Sequence, residues 1–253
     1  MLDRHDFLGF AGGMLLATLK PARGHRARPH PLRPVTTGTA YVVCSESNAV
    51  AVVDLATSRI VQYLTVGLSP SHIVLDSRRR RAYVSNFAAN TISVIDLTRL
   101  EVTGEFDART GPGALALDDG GNLLYFASVA EGTVSALDTA SGGVAGSAIV
   151  GKRPIEMALD FRTGALYVVD EGVGTLSYVE TRGRKLIATP LRADPSASNI
   201  ALSRDGVTGY VGNAAAGTLS LLDLGARRIS STIDGLRSPQ SIAVTNDPTR
   251  IYV

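Results

Sequence analysis

Apolar and polar positions alternate along Thr91-Ile92-Ser93-Val94-Ile95-Asp96, and the pattern returns at Thr133–Asp138, Thr175–Glu180 and Thr218–Asp223, with a variant over Asn48–Asp54. A repeat of two marks a strand, because successive side chains point to opposite faces. The flanks of one copy predict three more strands. Ser71–Leu75 is a short apolar stretch, Asp76–Arg80 a polar turn, Arg81–Ser85 a second strand and Asn86–Asn90 a loop; Glu101–Phe106 follows as a fourth strand. Between residues 36 and 253 no run places apolar residues three and four apart over ten positions, so no helix is predicted there.

The same unit recurs along the chain. Tyr41-Val42, Tyr83-Val84, Tyr125-Phe126, Tyr167-Val168, Tyr210-Val211 and Tyr252-Val253 stand 42, 42, 42, 43 and 42 residues apart. Four short strands per period of about 42, joined by turn-forming residues, is the blade of a β-propeller. The expected fold is therefore all-β, a propeller of four-stranded antiparallel blades with about five repeats present. Asp54, Asp96, Asp138, Glu180 and Asp223 close the third strand of each unit. A carboxylate there can accept hydrogen bonds from turn N–H groups, so these five are expected to shape turns rather than to form a catalytic set.

Tyr83-Val84-Ser85-Asn86 and Tyr210-Val211-Gly212-Asn213, each followed by the Thr-x-Ser strand, resemble the YVTN-type β-propeller repeat. The resemblance covers residues 36 to 253. It implies relatives among surface-layer and periplasmic propellers and among subunits of redox assemblies, with sugar lactonases on related propellers. The chain enters at the second strand of a blade and ends at Ile251-Tyr252-Val253, opening another second strand. Two readings follow. Either the last first strand, Gln240–Thr245, joins the N-terminal strands to seal a five-bladed ring, or the chain is a fragment of a larger, seven-blade-like propeller. The second is preferred.

Residues 1–35 break the pattern. They hold six basic residues against Asp3 and Asp6, a balance of +4, which leaves the remainder at −2 although the whole chain is +2. A charged start precedes the apolar run Phe7 to Leu19, the proportions of a secretory leader, and the run is short of the roughly 20 residues a membrane span needs. Asp3-Arg4-His5-Asp6-Phe7-Leu8-Gly9 resembles a twin-arginine export signal with His5 in place of the second arginine. Arg, Pro and His dominate residues 20–34 and read as a disordered linker. The expected division is an export leader and linker over 1–35 and a propeller domain over 36–253, without a membrane span, located in the periplasm or secreted. A nearly neutral body gives no electrostatic argument for nucleic acid.

If what recurs builds the fold, function lies where the units differ. Aligning first strands on Ile73, Leu115, Met157, Ile200 and Ile242 puts His72, Ala114, Glu156, Asn199 and Ser241 in one register near the channel axis. His72, Glu156, Asn199 and Ser241 are the candidate channel-mouth residues for a small polar ligand. Arg109, Lys152, Arg153, Arg192 and Arg237 lie in the connections that lead into these strands, and form a candidate rim for an anion or partner. Arg78–Arg81 fills the first turn of its unit and reads as a solvated hairpin tip. Asp170 stands where other units have Asn86 and Asn213, and Cys44 stands there in the first.

The chemistry excludes several classes. Cys44 is the only cysteine and His72 the only histidine after residue 35, so no disulfide and no zinc site of ordinary ligands can form in the body. Cys-x-x-Cys-His and Gly-x-Ser-x-Gly do not occur. No catalytic residue and no metal ligand is nominated, and no cofactor is expected; hard oxygens at Asp170 and Glu171 leave room for calcium. The leading expectation is an exported, non-catalytic propeller that binds a protein or small ligand through one face of its ring. The alternative is an enzyme or enzyme subunit, lactonase-like or the haem-free propeller of a periplasmic dehydrogenase.

Overall fold

The computed structural model describes residues 9–11, 14–18, 38–171, 173–182, 185–245 and 250–253. Strands β1 (Gly9–Ala11), β2 (Met14–Thr18), β3 (Thr39–Cys44), β4 (Ala49–Asp54) and β5 (Arg59–Thr65) form the first antiparallel sheet. The second contains β6 (Pro70–Asp76), β7 (Arg81–Asn86), β8 (Thr91–Asp96) and β9 (Glu101–Asp107). The third contains β10 (Pro112–Leu117), β11 (Leu123–Ser128), β12 (Thr133–Asp138) and β13 (Val144–Ile149). The fourth contains β14 (Pro154–Leu159), β15 (Leu166–Asp170), β16 (Thr175–Arg182) and β17 (Lys185–Arg192), and the fifth β18 (Ala197–Leu202), β19 (Thr208–Asn213), β20 (Thr218–Asp223) and β21 (Arg228–Ile233). The strands predicted in the second unit are observed within a residue of their expected ends, whereas that expected over Gln240–Thr245 spans only Ala243–Val244.

Each blade packs face to face with the next, so the core is a series of layers between blades. The Tyr-Val dyad explains why the period is so regular. Adjacent residues of a strand face opposite ways, so Tyr83 enters the layer shared with the third blade while Val84 enters the layer shared with the first. Tyr125 and Phe126 divide in the same way, as do Tyr167 and Val168. A tyrosine pointing forward and a valine or phenylalanine pointing back help fill each gap. The Tyr167 hydroxyl goes further and donates to the Leu224 carbonyl of the fifth blade at 3.1 Å.

Of the two readings of the last strands, the less favoured one, in which Gln240–Thr245 joins the N-terminal sheet, is not what the strands do. β22 (Ala243–Val244) pairs with β23 (Ile251–Tyr252) in a separate two-stranded sheet, and the innermost place beside β3 is held by β2. β22 lies beside β18 on one side and β1 on the other. The pairing Ala243↔Tyr252 and Val244↔Ile251 repeats the hairpin of the full blades, which is the local solution already available to these residues. Most of the leader and linker expected over residues 1–35 lies outside the described residues. Among the described residues, no helix is long and apolar enough to cross a membrane.

Candidate functional site

The innermost strands of the second to fifth blades carry the same irregularity. Pairing of β6 with β7 shifts between Pro70 and His72, of β10 with β11 between Pro112 and Leu115, of β14 with β15 between Pro154 and Glu156, and of β18 with β19 between Ala197 and Asn199. One extra residue thus enters each of these four strands at its start. A bulge re-aims the side chains beside it, and here it falls at the register of His72, Ala114, Glu156 and Asn199.

The result brings the second and fourth blades together. His72 Nε2 lies 3.7 Å from Glu156 Oε2, and both side chains are largely buried, 13% and 8% exposed. Glu156 Oε1 accepts from the Met157 backbone N–H at 2.9 Å, which fixes the carboxylate. Ser85, opposite His72, bonds the Ser71 hydroxyl at 3.0 Å and accepts from the His72 N–H at 3.1 Å. Ala114 is buried in the layer between the third and fourth blades and adds no polar group. Asn199 is buried, with Nδ2 near the Pro239 carbonyl and Oδ1 without a hydrogen-bond partner. It lies against Gly212, where a Cβ would press on its amide at 2.8 Å. Ser241 is only half-buried and precedes β22 rather than lying in it, so the fifth member of the register is not in a strand.

All five rim cations are exposed; Arg109, Lys152, Arg153 and Arg237 lie in blade-to-blade connections, whereas Arg192 is the last residue of β17. Arg153 is held by Glu171 at 2.8 Å, so the charge there is balanced. The hairpin arginines behave differently from the solvated tip expected. Arg79 binds Asp76 Oδ2 at 3.0 Å, the Gly120 carbonyl at 2.6 Å and Asn122 Oδ1 at 2.7 Å, and Arg78 pairs with Asp119 at 3.1 Å. They clasp the second blade to the third, because the next hairpin presents carbonyl and carboxylate oxygens within reach. Arg162 repeats the device, donating to the Gly206 carbonyl of the fifth blade at 2.7 Å.

Four of the five strand-end carboxylates shape turns as expected, whereas Glu180 lies within β16, which runs on to Arg182, and pairs with Arg227 at 3.7 Å. Asp54, Asp96, Asp138 and Asp223 accept from backbone N–H groups two or three residues on. Those bonds, from Arg99 and then Thr98, hold the Asp96 carboxyl below its ordinary value. Asp170 takes the place of an asparagine with the hydrogen bonds reversed. Asn86 Nδ2 donates to the Thr91 and Ser93 hydroxyls and Asn213 Nδ2 to those of Thr218 and Ser220. Asp170 Oδ2 accepts from Thr175 and Ser177, and Oδ1 from the Gly151 N–H. Burial nevertheless pushes its carboxyl up. Among the described residues, no three of His, Cys, Asp and Glu gather in a way that could hold a metal ion.

Sequence reasoning missed a cavity of about 480 Å³ at the opposite, turn-side end of the channel. Ile73, Leu75, Leu115, Leu117, Met157 and Leu159, from the innermost strands of three consecutive blades, line it. His72 and Glu156 stand one residue beyond its inner end. Asp76, Asp118, Asp119 and Arg78 edge it, together with Phe161, which is 71% exposed. The signal was Phe161, since the same register holds Ser77, Asp119 and Arg204 in other units.

A family model described as YNCE-like β-propeller matches residues 42–162. No curated protein matches the chain. Among solved structures it is similar to Kuenenia stuttgartiensis hydrazine synthase, with a TM-score of 0.69 and 19% identity over 85% of this chain and 79% of that one. At that identity the likeness is one of fold. Successive four-stranded sheets, layers of core between them and both likenesses lead to one conclusion: the chain is a β-propeller.

Proposed function

We propose that this is a non-catalytic binding propeller that holds a small molecule in its channel. The observation that carries the reading is the open cavity of about 480 Å³ lined by three innermost strands. It falls in the 300–1,000 Å³ range of ligand pockets, and such pockets are mostly apolar with a few placed polar groups. Asp76, Ser77, Asp118 and Asp119 at its edge supply polar groups of that kind. The Tyr-Val-Ser-Asn and Tyr-Val-Gly-Asn units support descent from YVTN-type repeats.

Export to the periplasm belongs to the same reading, supported by the charged start and apolar run of residues 4–19. Cleavage after that run would remove β2 and leave β3 innermost in its sheet. The mass of the chain recovered from a periplasmic fraction therefore reports both export and the fate of β2.

Ligand binding is tested through Met157, one of three methionines and a wall of the cavity. Carbon-13 methyl labelling gives it a resonance that M157L identifies. Titration with the uncharged probe 2-phenylethanol is expected to shift that resonance and leave the Met1 and Met14 methyls in place. A Met157 signal that stays still at millimolar probe would remove the reading.

A further inference from the structure

The cavity has a charge pattern that its apolar walls do not require. Three carboxylates, Asp76, Asp118 and Asp119, stand at its edge. Arg79 binds Asp76 at 3.0 Å and Arg78 binds Asp119 at 3.1 Å, so two of the three are neutralised by the clasp between blades. Asp118 is not. Its Oδ1 accepts the N–H groups of Asn122 and Leu123, at 2.6 and 3.0 Å, which fixes the carboxylate without adding a cation. Among the described residues no ion pair includes Asp118. The edge therefore carries one uncompensated negative charge, held in place and next to an apolar chamber.

Phe161 is the second feature. It replaces a polar residue at its register and stays exposed, although it borders the cavity. An exposed aromatic ring that lines the same apolar cavity as a carboxylate offers a stacking face, and a cation close to such a ring is favoured further. A ligand that satisfies all three elements has an apolar or aromatic body and one protonated amine. A carboxylate ligand would meet repulsion from Asp118, and a neutral one would leave it unanswered.

We infer that the turn-side end of the channel binds small amphipathic amines, with the ammonium on Asp118 and the body between Met157 and Phe161. This rests on the ligand-binding reading above and adds the chemical class. Three probes of one shape separate the two ideas: 2-phenylethylamine, 2-phenylethanol and 3-phenylpropanoate, each titrated into the full chain with the Met157 methyl as reporter. The amine is expected to bind about tenfold more tightly than the alcohol, or about 1.4 kcal/mol, and the acid more weakly than either. D118N keeps an oxygen for the Asn122 and Leu123 N–H groups, and should bring the amine down to the alcohol while leaving the alcohol unchanged. F161A, at an exposed position, should weaken all three. Equal binding of the three probes with D118N silent would overturn the amine inference and leave the channel as a ligand site. Tighter binding of the acid would overturn it as well, and binding of none would sink both readings.

Discussion

Asp170 shows how a single residue can keep a network while changing its electrostatics. Its neighbours, two hydroxyls and a backbone N–H, serve an Asn amide or a carboxylate equally well, because a hydroxyl can donate or accept. The cost appears in protonation. Burial raises the Asp170 carboxyl above the ordinary 3.8, against the lowering effect of its hydrogen bonds. Between those two values the folded chain keeps a proton that the unfolded chain has released, so stability falls as pH rises through that window and stays at the lower level above it. D170N, which restores the amide of the sister blades, should remove that fall. Urea midpoints measured from about pH 4 to 7 should converge at the acid end, with D170N the more stable at neutrality; a less stable D170N at neutrality would contradict it. Tyr167 gives an alkaline counterpart. Burial pushes its phenol up to about 12, so folding loses stability as pH climbs from 10 towards that value. Y167F abolishes this loss but also the bond to the Leu224 carbonyl, at a cost of about 0.5–1.5 kcal/mol in chemical denaturation near neutral pH.

At the scale of elements, the clasp made by Arg79 is the most exposed to test. Asp76 is 5% exposed, and removal of the guanidinium leaves its carboxylate buried with only the Arg79 N–H as a partner. R79M should cost about 1–3 kcal/mol in urea unfolding, and D76N added to R79M should recover part of that loss. Equal stability of R79M and the parent chain would return this hairpin to the solvated tip that its sequence suggested. The difference shows what sequence could and could not give. Strands such as Thr91–Asp96 were legible because alternation and turn residues are local, and the Tyr-Val dyad because every layer needs the same forward and backward filling. The target of Arg79 lies 41 to 43 residues away in another hairpin, and no local pattern encodes a carbonyl in that position. The place of β2 was hidden for a related reason: Phe7 to Leu19 has the composition of a leader, and pairing with β3 depends on the whole sheet.

For the molecule as a whole, the channel couples blades that do not touch in sequence order. His72 and Glu156 belong to the second and fourth blades, and alignment of the repeats placed them in one register without stating that they meet. Their approach depends on the curvature of three blades, which the period does not contain. The cavity was invisible for the same reason, although Phe161 hinted at it. A double-mutant cycle with H72Q and E156Q should give a coupling of about 0.5–3 kcal/mol in denaturant unfolding, and additivity within error would mean that the pair is not an energetic link. The bulge in the four innermost strands β6, β10, β14 and β18 has a consequence for how such a molecule changes over time. Because the ladder is already interrupted at that register, the side chain beside it can be exchanged between blades with little disturbance of strand pairing. His, Ala, Glu and Asn then behave as interchangeable letters on a fixed wheel, so a propeller of this kind can rewrite what its lumen recognises while leaving the wheel itself intact.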